Sequence, residues 1–170
     1  TYELTENNPD IHPSVSNNAF LVDRQHRVWL GNFNQYGEGL YVSDSSSLTS
    51  PYFRKLILSK PGAIEPGKKE YEQIWTISED RFGHIWVGSR ISGLYKISPG
   101  KMPAKEYFVA RTTTDSLPAN ITNLAEDPNG NVWLTSEQQT TFKLNIASSQ
   151  LERFPVTKNE TQKYISGEGN

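Results

Sequence analysis

Short alternations of large apolar and polar residues run through the chain, in segments such as "IWTI", "HIWVG" and "LYKI". They are rich in β-branched and aromatic residues, and no apolar residues are sustained at helical spacing, so each reads as a short strand. Turn residues separate them. In "QIWTISEDRFGHIWVGSRISGLYKIS" the first strand is "QIWTIS", "EDRFG" is a tight turn, "HIWVGS" is the return strand, and "SRISG" leads to "LYKIS". A last strand is expected in "EYFVA".

The same order occurs three times. Asp23, Asp80 and Asp127 fall in one column and Trp29, Trp86 and Trp133 in another, six residues on in every copy. The tryptophans recur after 57 and then 47 residues. Such a period, with one tryptophan per unit, marks propeller blades, each a four-stranded antiparallel sheet. The predicted fold is therefore all-β, a propeller fragment of about three four-stranded blades. Gly83 and Gly130 suit positive φ in the turn, while the Asp carboxylate can accept hydrogen bonds from turn amides. The Trp brings a large buried face and an indole N–H that needs an acceptor. His26 occupies the glycine column of the first copy, which predicts a wider turn or a different backbone there. The third copy, "TSEQQTTF", lacks the second glycine, so its loop is expected to take its own conformation.

The ends continue the repeat. "YELTENNPDIHPS" aligns with "YFVARTTTDSLPA", setting Tyr2, Asp10 and Pro13 over Tyr107, Asp115 and Pro118. This predicts five units: residues 1–14 as the outer strand of a preceding blade with its linker, blades at 15–71, 72–118 and 119–157, and 158–170 as the start of a further blade or a tail. Three blades leave open edges, because a closed propeller needs at least four. The remaining blades of a parent chain, or a second copy in a homodimer, are the expected partners.

Composition narrows the chemistry. Among 170 residues there are 17 basic and 19 acidic side chains, for a formal charge of -2, with no basic run suited to nucleic acid. The absence of cysteine excludes disulfides and thiolate chemistry. No apolar run has the roughly 18 to 20 residues of a bilayer span, so no membrane contact is expected of this segment. His12, His26 and His84 lack metal-ligand spacing and are read as solvated turn residues. "DPNGN" lacks the ligand pattern of a calcium loop and reads as a β-turn, and the tripeptides at Asn120 and Asn159 match a glycosylation pattern that arises often by chance. No metal, cofactor or catalytic residue is predicted. A carboxylate repeated in every unit answers a turn requirement and not a catalytic one.

"ISEDRFGHIWVGSRISGLYKI" resembles the two-component regulator propeller repeat, with its acidic pair, glycine, Ile-Trp-Ile/Val-Gly-Thr and Gly-Leu-aromatic. The third copy resembles it through "LAEDPNGNVWL", and the first at Asp23, "VWLGN" and "GLY". The resemblance covers most of residues 15–157. It implies the periplasmic or extracellular sensor region of a membrane-bound histidine kinase, non-catalytic in itself, responding to oligosaccharides from complex glycans. Within that expectation the loops after each second strand, "NFNQYGEG", "SRISG" and "SEQQTT", vary above a repeated frame. Their Asn32, Asn34, Gln35, Tyr36, Arg90, Glu137 and Gln138 offer the donors, acceptors and aromatic face a sugar needs. Arg90 also suits a carboxylate or sulfate. Two alternatives stand beside this reading, a self-assembling propeller module and a sialidase-like glycosidase. The latter's Asp-box, Ser-x-Asp-x-Gly-x-Thr-Trp, is approached by "SEDRFGHIW", with one residue more before the glycine and no Thr ahead of Trp86.

Overall fold

The computed structural model describes residues 17–32, 39–43, 53–56, 58, 73–90, 93–98, 120–137 and 140–155. They form three antiparallel sheets in chain order. The first holds β1 (Asn17–Val22), β2 (Val28–Asn32), β3 (Gly39–Ser43) and β4 (Phe53–Leu56), each paired with the next. The second holds β5 (Ile74–Glu79), β6 (Ile85–Ser89) and β7 (Leu94–Ile97). The third holds β8 (Ile121–Glu126), β9 (Asn131–Ser136), β10 (Thr140–Asn145) and β11 (Gln150–Pro155). Strand segments and turns fall where the pattern predicts them, and the all-β propeller fold is observed. The strand expected in "EYFVA" and the segments 1–14 and 158–170 lie outside the described residues.

The blades pack face to face through their first strands, β1 against β5 and β5 against β8. Two cores result. Trp29, Leu40, Val42 and Leu56 of blade 1 meet Ile74, Ile77, Ile85 and Val87 of blade 2. Trp86 and Leu94 of blade 2 meet Ile121, Val132, Leu134, Phe142 and Leu144 of blade 3. Apolar area removed from water here is the main stabilising term, at about 25 cal/mol per Å². The glycine two residues after the Trp makes the close approach possible. A Cβ on Gly31 would fall 2.5 Å from Ile74 Cγ2, and one on Gly88 would fall 2.8 Å from Ile121 Cγ2, so any larger residue would push the next blade away.

Each recurring Asp closes its turn and reaches the Trp. Asp23 Oδ1 accepts from the Gln25 and Arg27 amides, and its Oδ2 accepts from Trp29 Nε1 at 2.8 Å. Asp80 does the same with Phe82, His84 and Trp86, and Asp127 with Asn129, Asn131 and Trp133. The indole partner that the sequence demands is thus the turn carboxylate itself. A further bond comes from the residue four after each Asp: Arg27 Nε at 2.6 Å, His84 Nδ1 at 2.9 Å and Asn131 Nδ2 at 2.8 Å. A cation also lies over each Trp ring, Arg27 at 5.2 Å, Lys96 at 5.5 Å and Lys143 at 5.9 Å from the centroid.

Two expectations need correction. The first turn is neither wider nor different: His26 takes φ 60, beside φ 80 at Gly83 and φ 83 at Gly130. Its amide donates to Asp23 O, as those of Gly83 and Gly130 do to Asp80 O and Asp127 O. The carboxylate holds so much of the turn that a non-glycine residue is forced into the left-handed region. His84 is not a solvated turn residue either. Its side chain is only 20% exposed and is bound to the buried Asp80.

Candidate functional site

Antiparallel order puts the Asp turns at one end of every blade and the loops after the second strands at the other, together with the links between blades. At that second rim the main chain of two blades is joined. The Arg90 amide, just after β6, donates to Gln73 O at 2.9 Å, just before β5. The Asn120 amide, just before β8, donates to Arg90 O at 2.8 Å. The Glu137 amide, just after β9, donates to Asn120 O at 3.0 Å. A loop from each blade and the two linker ends are thereby held in fixed order. Asn120 sits at φ 68, a conformation that Asn tolerates better than most residues. The Ser89 amide donates to Gly93 O at 2.8 Å and closes the base of the Arg90 loop.

On this frame the Arg90 and Glu137 side chains are exposed. Arg90 Nη1 donates to Gln73 Oε1 at 3.0 Å, which orients the guanidinium along the rim. A cation with several donors, a carboxylate and the Gln73 and Asn120 amides therefore lie along one ordered path. Beneath it the last residue of each second strand is polar and buried: Asn32, Ser89 and Ser136. Ser136 Oγ makes no hydrogen bond to the described residues.

The predicted ligand residues divide accordingly. Arg90 and Glu137 are brought together through Asn120. Asn32 ends β2, paired with Gly39, and is fully buried under the rim. Asn34, Gln35, Tyr36 and Gln138 lie outside the described residues. Gln73 and Asn120, which precede strands, were not expected at the rim: Gln73 carries no motif and Asn120 matches only the glycosylation pattern, and main-chain bonds reveal them, Gln73 to Arg90 within blade 2 and Asn120 to Arg90 between blades. The recurring Asp, Gly and Trp positions lie at the opposite end, in the turns and the cores.

The repeated carboxylates take their electrostatics from the turns they close. Burial pushes the Asp80 carboxyl up, but hydrogen bonds from the Trp86 indole, the His84 amide and the His84 ring outweigh it and hold the group below the usual range. Asp23 is lowered in the same way against its burial, by Trp29, the Arg27 amide and the Arg27 side chain. Asp127 is held well below its usual value by Asn131 and Trp133. Each is engaged by donors of its own turn and lies one blade away from the next.

The sequence profile described as Two component regulator propeller matches residues 70–90 and 116–138. These segments are two component regulator propeller repeats. They span the Asp turns and Trp strands of blades 2 and 3, together with the rim positions Gln73, Arg90, Asn120 and Glu137. No curated protein matches the chain. Among solved structures it is similar to a virginiamycin B lyase from Staphylococcus aureus solved with quinupristin, at 14% identity and a TM-score of 0.60, over 85% of this chain and 42% of that one. It is also similar to PorZ, a surface component of the type-IX secretion system of Porphyromonas gingivalis, at 21% identity and a TM-score of 0.53, over 76% and 17%. The extracellular domain of a putative hybrid two component system from B. thetaiotaomicron aligns at 16% identity and a TM-score of 0.48, over 89% and 24%. The propeller repeats thus span between about a sixth and two-fifths of the solved chains they resemble. Among the described residues no helix is long and apolar enough to cross a membrane.

Proposed function

We propose that this chain is part of the ligand-sensing propeller of a membrane-bound two component sensor kinase, placed outside the cytoplasm and responding to oligosaccharides derived from glycans. The observation that carries the reading is the wired rim, where Gln73, Arg90, Asn120 and Glu137 hold varied loops on an invariant frame. A sugar ring presents adjacent hydroxyls, and paired donors and acceptors at fixed spacing are what recognise them. Ligand binding at a junction between blades would favour one arrangement of the sensor over another and shift the kinase by the difference in affinity. The segment itself is a binding module. Its recurring carboxylates are committed to turns, which also counts against a sialidase-like glycosidase.

The test is calorimetric titration of the chain with defined oligosaccharides, neutral and acidic, for the parent sequence and for Arg90→Ala and Glu137→Ala. Binding that weakens roughly tenfold or more in either variant supports the reading. Binding indifferent to both substitutions, or turnover of any glycan, would overturn it.

A further inference from the structure

Of the four tryptophans, the repeat accounts for three. Trp29, Trp86 and Trp133 donate their indole N–H groups to Asp23, Asp80 and Asp127 at the turn end. Trp75 stands outside that column, second in β5 and two residues after the rim residue Gln73. The register fixes where its side chain turns. In β5 and in β8 one extra residue is inserted opposite the second strand, so that Ile74 pairs with Ser89 but Thr76 with Gly88, and Ile121 with Ser136 but Asn123 with Thr135. Trp75 and Thr122 are the inserted residues, at bulges that re-aim a side chain.

The two faces of β5 are identified by what they meet. Ile74 lies over Gly31 of blade 1. At the turn end an arginine of blade 1 clasps blade 2: the Arg24 amide donates to Glu79 Oε2 at 2.9 Å and Arg24 Nη1 to Arg81 O at 2.8 Å. Arg81 clasps blade 3 alike, its amide and Nε donating to Glu126 at 2.8 and 2.6 Å and its Nη2 to Asp127 O at 2.7 Å. Ile74 and Glu79 therefore turn to blade 1. Thr76 turns the other way: a Cβ on Gly88 would fall 2.5 Å from Thr76 Cγ2 and 2.8 Å from Ile121 Cγ2 of blade 3. In blade 3 the inserted Thr122 and the following Asn123 share one face, because both reach the Thr135 hydroxyl, at 3.0 and 3.2 Å, and Thr135 holds the position of Gly88. By the same register Trp75 shares with Thr76 the face turned to blade 3. Gln73, two residues back along the extended chain, lies on that face too.

An indole is thereby set beside the polar edge of the rim. Gln73 accepts the Arg90 amide and guanidinium, and Arg90 O accepts the Asn120 amide of blade 3. Trp75 is half-buried, whereas Trp29 and Trp86 are sealed in the cores. We propose that Trp75 is the platform on which a pyranose ring of the ligand stacks at the junction of blades 2 and 3, its C–H face on the indole and its adjacent hydroxyls toward Gln73 and Arg90. A flat aromatic surface with a few convergent polar groups at its edge fits a ring that is apolar on its face and polar around its rim. Thr122 holds the same position in blade 3 and offers no ring there. The platform rests on the oligosaccharide reading of the rim and deepens it, since a flat indole admits a sugar that offers a face of C–H groups.

The test is titration of the 170-residue chain with cello-, xylo-, galacto- and galacturono-oligosaccharides, followed by calorimetry and by tryptophan emission, for the parent, Trp75→Phe and Trp75→Leu, with circular dichroism to check each fold. An oligosaccharide that binds the parent is expected to shift its emission, because Trp29 and Trp86 are sealed and Trp133 is tied to the turn end. Trp75→Phe keeps a ring, so it should bind within about threefold of the parent and lose the emission shift. Trp75→Leu keeps apolar bulk without a flat ring and should weaken binding roughly tenfold or more. Binding to the parent without a change in emission overturns the platform and leaves the rim reading standing. So does a Trp75→Phe variant that retains the shift, or a folded Trp75→Leu variant that binds as the parent does. If no oligosaccharide binds the parent, the rim reading falls and the platform falls with it.

Discussion

Replacing Asp80 by Ala tests the idea that one carboxylate couples turn to core. Asp80 accepts the Phe82 and His84 amides on Oδ1 and Trp86 Nε1 and His84 Nδ1 on Oδ2, and it is 1% exposed. The four bonds do not cost alike when lost. The amides and the His84 ring lie in a turn that water reaches, so their loss amounts to about 1 kcal/mol, as for a helix cap. Trp86 is 1% exposed, and its indole N–H cannot reach water, so orphaning it costs about 2 kcal/mol more. The expected loss is about 3 kcal/mol. In a Trp86→Phe background the indole is gone, and Asp80→Ala should cost only about 1 kcal/mol, leaving a coupling of about 2 kcal/mol. Urea unfolding of the parent, both single variants and the double variant measures that coupling. A value below about 0.5 kcal/mol would refute the argument, because the carboxylate would then act on the turn alone.

Two further outcomes follow from the same turns. Asp23, Asp80 and Asp127 all have folded values below their ordinary ones. Their contribution is therefore fully present above the unfolded value of about 3.9 and is lost as pH falls through the folded values. The urea midpoint should hold steady from neutral pH to about 5 and decline below about 4, with a shallower decline in Asp80→Asn; equal slopes in parent and variant would contradict this. His26→Gly relieves a left-handed non-glycine residue at φ 60. That strain is worth about 1 kcal/mol and is partly offset by the entropy glycine adds to the unfolded chain, so a gain of about 0.5 kcal/mol is expected in the same assay. A lower midpoint would mean that the His26 side chain stabilises the turn by more than its backbone costs.

The fold was legible because its signals are local and repeated. Strand alternation, the Asp and Gly turn and the spacing to Trp each act within a few residues, and three copies reinforce one another. The His26 turn was misread because position propensity was weighed alone, whereas the Asp23 carboxylate imposes the geometry that glycine would merely permit. His84 was misread because turn histidines are usually wet, and nothing local says that the residue four after the Asp shares its carboxylate. A comparison of Arg27, His84 and Asn131 as hydrogen-bond donors in one column could have shown it. The candidate site was legible only in part. Arg90 and Glu137 follow from loop position, but Gln73 and Asn120 join them through main-chain bonds, that of Asn120 to Arg90 crossing between blades, which no side-chain pattern encodes. The Arg24 to Glu79 and Arg81 to Glu126 contacts did leave a trace, an Arg just after one Asp and a Glu just before the next, visible only once neighbouring copies are read as touching.

The arginine clasps lie at the turn end of the strands, whereas Arg90, Asn120 and Glu137 lie at the other end. The side-chain clasps between blades and the side chains proposed to recognise a ligand are thereby different residues, a strand's length apart. The tip of a rim loop is free to exchange residues while the main-chain bonds at its base, Asn120 to Arg90 among them, still order the blades. Such an arrangement suits diversification: new specificities can arise by loop replacement alone, and a duplicated blade arrives already equipped to find its neighbour.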